Sequence, residues 1–156
     1  MPIPASHNSS TESSAAGLMQ EFQPIVMKMD IPAVTDLLEL LPAKDFIIIK
    51  QPATALVMIC ATDCFNTDFC LGEALVTEAV VEYDGKQGYA MVLGEDQTRA
   101  LALASLDAFY QSSDKENQAK IEHVLALASE EIVEKDEKER KLVASTRVNF
   151  ENMVKG

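Results

Sequence analysis

The stretch EALVTEAVVEYDGKQGYAMVL, residues 73–93, constrains the fold more than any other part of the chain. An Asp-Gly pair, Asp84 and Gly85, lies between two β-rich runs. Such a pair supplies the positive backbone dihedrals that a tight hairpin needs. In the first run Leu75, Thr77, Ala79, Val81 and Tyr83 alternate with Val76, Glu78, Val80 and Glu82, so each set lines one face of a strand. The return run, GYAMVL (88–93), completes an antiparallel pair. Upstream, DFIIIK (45–50) and ALVMIC (55–60) are two more short strand-like runs, and the QPAT between them reads as a turn. Two adjacent hairpins predict a four-stranded, mainly antiparallel sheet.

Helical patterns flank this sheet. From Ala15 the apolar spacing of Leu18, Met19, Phe22, Ile25 and Val26 predicts a helix, with a kink or restart at Pro24. DIPAVTDLLELL predicts a second, capped by Asp30 and stopped by Pro42. After the sheet, a helix runs from near Asp96 to about Tyr110, another is capped by Asp114, and a third, charged one starts near Glu130. The pairs Glu134–Lys138 and Glu137–Lys141 support that last helix as an extended arm. The order helices, strands, helices is that of an α+β fold. A chain of 156 residues suits one core. The expected organisation is a disordered tail over 1–13, rich in Ser and Pro, then a single domain over 14–156 whose arm and tail occupy 130–156.

Charge narrows the function. The net charge is −12, and the arginines are Arg99, Arg140 and Arg147 alone. Nucleic acids and anionic membranes need a basic footprint that this chain lacks. Unaided grip on a polyphosphate is disfavoured for the same reason. No apolar run reaches the length of a membrane span, and the first residues lack the pattern of a secretory signal, so a cytoplasmic location is expected. Cys60, Cys64 and Cys70 are spaced C-x3-C-x5-C, which matches neither zinc pairs nor the common iron–sulfur runs. They are expected to be reduced thiols without a metal.

No catalytic constellation stands out. VLGEDQTRA (92–100) has the strand, glycine, helix layout of a phosphate cradle, yet Glu95 and Asp96 occupy the anion's place, which favours a structural turn. Asp63, Asp68 and Glu73 flank the cysteines without a spacing that fixes an acid and base pair. His123 lies on a helix with no identifiable orienting partner, and no nucleophile elbow is present. The strands FIII, LVMIC and YAMVL are apolar on both faces, as in a sheet covered on both sides, partly by helices and partly by another protein. The chain then closes on STRVNFENMVKG (145–156), where apolar residues return after a charged run.

Residues 71–110, with L-G-E-x-L-V-T-E-A running through D-G-x-x-G-Y-x-M-V-L-G, together with the terminal T-R-V-N-F-x-x-M-V cadence, closely resemble the PhnG subunit family of the bacterial carbon–phosphorus lyase system. The resemblance extends back toward Asp30. It implies a hetero-oligomer subunit working with PhnI-, PhnH-, PhnJ- and PhnL-type proteins. That complex joins an alkylphosphonate to the ribose C1 of MgATP and releases adenine, a transferase reaction in phosphonate catabolism. The resemblance further implies that this chain binds no cofactor, is inactive when isolated and acts as a scaffold. Arg147, Val148, Asn149, Phe150 and Met153 are the partner-interface candidates, the apolar three as anchors that dock either on a partner or back on this chain's own core. Composition alone also allows a non-enzymatic adaptor of an unrelated cytoplasmic assembly.

Overall fold

A computed structural model describes residues 9–42, 46–112 and 114–146. Two helices, α1 (Ser9–Lys28) and α2 (Ile31–Leu40), precede three strands, β1 (Phe46–Thr62), β2 (Asp68–Tyr83) and β3 (Lys86–Leu93). Helices α3 (Gln97–Tyr110) and α4 (Lys115–Ser145) follow. The α+β class stands, and the sheet is antiparallel in the order β1-β2-β3.

Among the described residues the sheet has three strands rather than four. QPAT does not turn the chain, and the two runs around it form one strand of 17 residues. The ladder to β2 is instead irregular between Lys50 and Ala53. Pro52 has no N–H to donate, but β1 is an edge strand with a bulge there, which is where a strand tolerates proline. The two helices expected after Tyr110 are also one, because no Pro or Gly interrupts the 31 residues of α4. Helix α1 runs through Pro24 and starts at Ser9, upstream of the apolar pattern that begins at Ala15.

The β2–β3 turn is as the sequence predicts. Asp84 and Gly85 both have positive φ, 52° and 69°, the signature of the hairpin turn that follows the twist of its strands. Gly88, Ala90 and Val92 then face α3. A Cβ at Gly88 would fall on the backbone of Ala104 and Ala108. Strand and helix therefore approach more closely than any side chain permits, and the alanines of α3 form the matching surface.

Helix α3 is the centre of the molecule. Ala100, Leu103, Ala104, Leu106 and Phe109 are all buried, and from Ala100 to Tyr110 no residue is exposed, so the helix is enclosed over that length. It packs on β2 and β3 with one face and on α1 and α2 with another. An aromatic chain runs through it: Phe46 stacks on Tyr83 at 4.6 Å, Tyr83 meets Phe109 at 5.4 Å, and Phe22 of α1 meets Tyr110 at 5.2 Å. Helix α4 adds Ile121 and Leu125 to this core. Lys28 pairs with Asp136 at 2.5 Å, and beyond that residue every position of α4 to Thr146 is exposed.

Candidate partner-docking site

Beyond Val76 the sheet loses its third strand, because Val76 pairs with Leu93, the last residue of β3. From there β1 and β2 continue alone as a two-stranded ribbon, Leu56 opposite Leu75 out to Thr62 opposite Asp68. At about 3.4 Å per residue this ribbon projects about 24 Å. None of its residues is buried. Leu56, Phe65 and Leu71 are 62%, 83% and 66% exposed. Isolated two-stranded ribbons are marginal in water, and large apolar groups left bare on a projecting element mark an interaction surface.

The ribbon's end is well specified. Asp63 accepts hydrogen bonds on Oδ1 from the backbone N–H of Phe65 (2.8 Å) and Thr67 (2.9 Å), and Asn66 adopts a φ of 59°. Thr62 donates its hydroxyl to Asp68 Oδ1 at 2.7 Å. Asp63 and Asp68 are thus turn-forming residues and not an acid and base pair. Glu73, on β2 opposite Met58, is exposed. Cys60 and Cys70 are cross-strand partners with Sγ atoms 2.8 Å apart, and Cys64 stands in the turn. The hydrogen bond shared with Cys70, helped by slight desolvation, pushes the Cys60 thiol above its ordinary value. Among the described residues no group of three or more His, Cys, Asp or Glu is placed to hold a metal.

The ribbon's base carries a polar crossing on the sheet face away from α3. Lys50 of β1 pairs with Glu78 of β2, and the Tyr89 hydroxyl of β3 donates to Glu78 Oε2 at 3.4 Å. The bond from Lys50 holds the Glu78 carboxyl below its ordinary value. Desolvation and then the Glu78 charge push the Tyr89 hydroxyl up. A carboxylate so lowered is a poor general base, and the group acts as a fixed polar strut across the strands.

The apparent phosphate cradle is filled by the chain itself. Asp96 caps α3 by accepting from the Arg99 N–H at 2.9 Å, and its own N–H donates to Thr77 Oγ1 at 3.1 Å. Arg99 pairs with the Asp96 carboxylate and donates to the carbonyls of Val26 and Met29 at the end of α1. One of the three arginines is therefore committed to joining two helices. A groove of about 450 Å³ between α1 and α4 is edged by Glu21, Glu122 and Glu130, which repel an anionic ligand. A smaller one of about 190 Å³, lined by Leu38, Leu41, Phe46 and Leu101, carries no titratable group. His123 is exposed on α4.

The expected interface residues Arg147, Val148, Asn149, Phe150 and Met153 lie outside the described residues. Reading QPAT as a turn hides the ribbon in the sequence, because the structure runs β1 straight through it. The signal that reveals it is TDCFNTD, a run of turn-forming residues between two β-rich segments of matched length. No helix among the described residues is long and apolar enough to cross a membrane.

Comparison with known proteins gives concordant matches. The family model for phosphonate metabolism protein PhnG matches residues 20–156. A relative from Rhizobium meliloti (strain 1021), the alpha-D-ribose 1-methylphosphonate 5-triphosphate synthase subunit PhnG, is 34% identical over 110 residues, covering 69% of this chain and 69% of its own length.

Proposed function

The chain belongs to the PhnG family of phosphonate metabolism proteins, and from that premise we propose that it is a docking subunit of a carbon–phosphorus lyase core complex. Its partners are PhnI-, PhnH-, PhnJ- and PhnL-type proteins in the cytoplasm. The complex transfers an alkylphosphonate to the ribose C1 of MgATP and expels adenine. This chain supplies no catalytic residue and no cofactor of its own. Displacing adenine means holding a triphosphate beside the reacting ribose, a task for metal ions and basic groups. The acidic groove between α1 and α4 repels a triphosphate, and the apolar groove lined by Leu38, Leu41, Phe46 and Leu101 offers it no basic group.

The observation that carries this reading is the ribbon, which buries none of its residues and is only marginally stable in water without cover. Its chemistry specifies the partner surface. Between Lys50 and Lys86 there is no Lys, Arg or His, whereas Asp63, Asp68 and Glu73 lie on the ribbon itself. A complementary surface is an apolar groove rimmed by Lys and Arg on another subunit. A second copy of this chain would bring like charges together. The terminal residues Arg147, Val148, Asn149, Phe150 and Met153 add a second contact to the same assembly.

Co-expression with the PhnI-type partner, purification and an assay of adenine release from MgATP plus methylphosphonate tests the proposal. Adenine release is expected from the assembled complex and not from this chain alone. Turnover by the isolated chain would overturn the docking role, as would a fully active complex formed with a chain whose ribbon is trimmed back to a short turn at Leu56 and Leu75.

A further inference from the structure

We propose that Cys60 and Cys70 form a modification site: a cross-strand dithiol that a small-molecule disulfide closes to a Cys60–Cys70 disulfide. The two residues face each other in the β1–β2 ladder, and their sulfurs are 2.8 Å apart. A disulfide bond is about 2.05 Å long, so closure requires a movement of about 0.8 Å. Both thiols are exposed to reagent. The chain between them is already held as a hairpin by Ala61 opposite Phe69 and Thr62 opposite Asp68. Closing the ring therefore costs little further chain entropy.

The third thiol is placed differently. Cys64 lies between Asp63 and Phe65 in the turn, outside the ladder, where the Asp63 carboxylate binds two backbone N–H groups. It has no cross-strand partner in the β1–β2 ladder. Cys60 and Cys70 also flank a ladder irregularity, between Ile59 opposite Gly72 and Cys60 opposite Cys70. A bond there pins the register of the ribbon's outer end.

The chemistry is thiol–disulfide exchange with, for example, oxidised glutathione. One protein thiolate attacks a glutathione sulfur, forming a mixed disulfide and releasing one glutathione thiol. The facing cysteine then attacks the protein sulfur of that mixed disulfide and releases the second glutathione. Two protein thiols and one oxidised glutathione become one protein disulfide and two reduced glutathiones. The two electrons and two protons pass to glutathione. A reducing compartment keeps the pair open, and a shift toward oxidation closes it. This inference does not depend on what the ribbon docks onto.

The test is incubation of the reduced full-length chain with oxidised glutathione, followed by acid quench, alkylation and mass spectrometry. Cleavage on the N-terminal side of Asp63 and Asp68 places Cys60, Cys64 and Cys70 on three separate peptides. The expected product has lost about 2 Da, joins the Cys60 and Cys70 peptides and leaves Cys64 alkylated. It forms at an oxidised-glutathione concentration about tenfold below that needed to modify Cys64. Cys64→Ser oxidises as the wild type does, and Cys60→Ser yields no internal bond. A linkage through Cys64, persistent glutathione adducts on Cys60 or Cys70, disulfide-linked dimers as the main product, or no reaction overturns the proposal.

Discussion

Replacing Phe65 and Leu71 together by serine separates folding from docking. A fully buried Phe or Leu side chain contributes about 1.5–3 kcal/mol. In the free chain Phe65 is 83% exposed and Leu71 66% exposed, so folding has collected only the smaller fraction of that value. The double variant should lose about 1.5 kcal/mol of stability at most, which lowers Tm by about 3–6 °C in a chain of this size. Docking into a dry groove collects the remainder, about 3–4 kcal/mol for the two side chains. Its loss weakens the complex by a few hundredfold. Serine removes apolar area without adding charge, so the effect does not mix with long-range repulsion. The assay pairs a thermal melt followed by circular dichroism with titration calorimetry against the PhnI-type partner. Leu127→Ser, 49% exposed on α4, is the control and should leave affinity unchanged. Affinity within threefold of wild type for the double variant would refute docking through the ribbon. A fall in Tm beyond about 10 °C would refute the view that the ribbon stands clear of the core.

Three further outcomes test the fold. Gly88→Ala should destabilise by about 3 kcal/mol or more, because its methyl meets the α3 backbone at Ala104 and Ala108 rather than a side chain that can move; a chemical-denaturation midpoint unchanged from wild type would contradict that close approach. Tyr110→Phe should raise Tm by about 2–4 °C, because the Tyr110 hydroxyl is buried with no hydrogen-bond partner among the described residues and so carries an uncompensated desolvation cost; a lower Tm would reveal a partner for that hydroxyl. Glu78 has a lowered pKa in the fold, so its pairing with Lys50 contributes fully above the ordinary carboxylate value and is lost as pH falls through the lowered one. The Tm difference between wild type and Glu78→Gln should therefore be greatest at neutral pH and vanish in acid, and a constant difference across that range would count against the ion pair.

The features legible in the sequence were those set by local chemistry. Asp84 and Gly85 announce their turn because so few residues accept positive φ, and Asp96 announces the start of α3 because a carboxylate satisfies free N–H groups. Two other features depend on what lies alongside. Pro52 ends a strand in isolation but not at a sheet edge whose outer side has no neighbouring strand among the described residues. The drop in apolar content near Glu130 suggested a new helix, yet composition alone does not break one, and α4 continues. The pairing of Cys60 with Cys70 was hidden for a third reason. Register in the ribbon is set jointly by the turn at Asp63 and the irregularity near Ile59, and neither follows from cysteine spacing.

The acidic character of the chain acquires a role when set beside the ribbon. A long apolar strand with a free edge is a template for pairing with another copy of itself. Of the usual protections, the outer part of β1 carries no Lys and no second proline beyond Pro52, and the ladder irregularity beyond Ile59 is its one structural break. What remains is charge. Two ribbons laid together would oppose Asp63, Asp68 and Glu73 of one chain to the same residues of the other, with no basic residue between Lys50 and Lys86 to relieve them. Each chain as a whole carries a net charge of −12, so repulsion acts before contact as well as in it. A partner with a basic rim meets the opposite balance, gaining attraction where a second copy meets repulsion. The same acidic excess that makes this chain a poor ligand for phosphate thus keeps its apolar ribbon open for a different subunit.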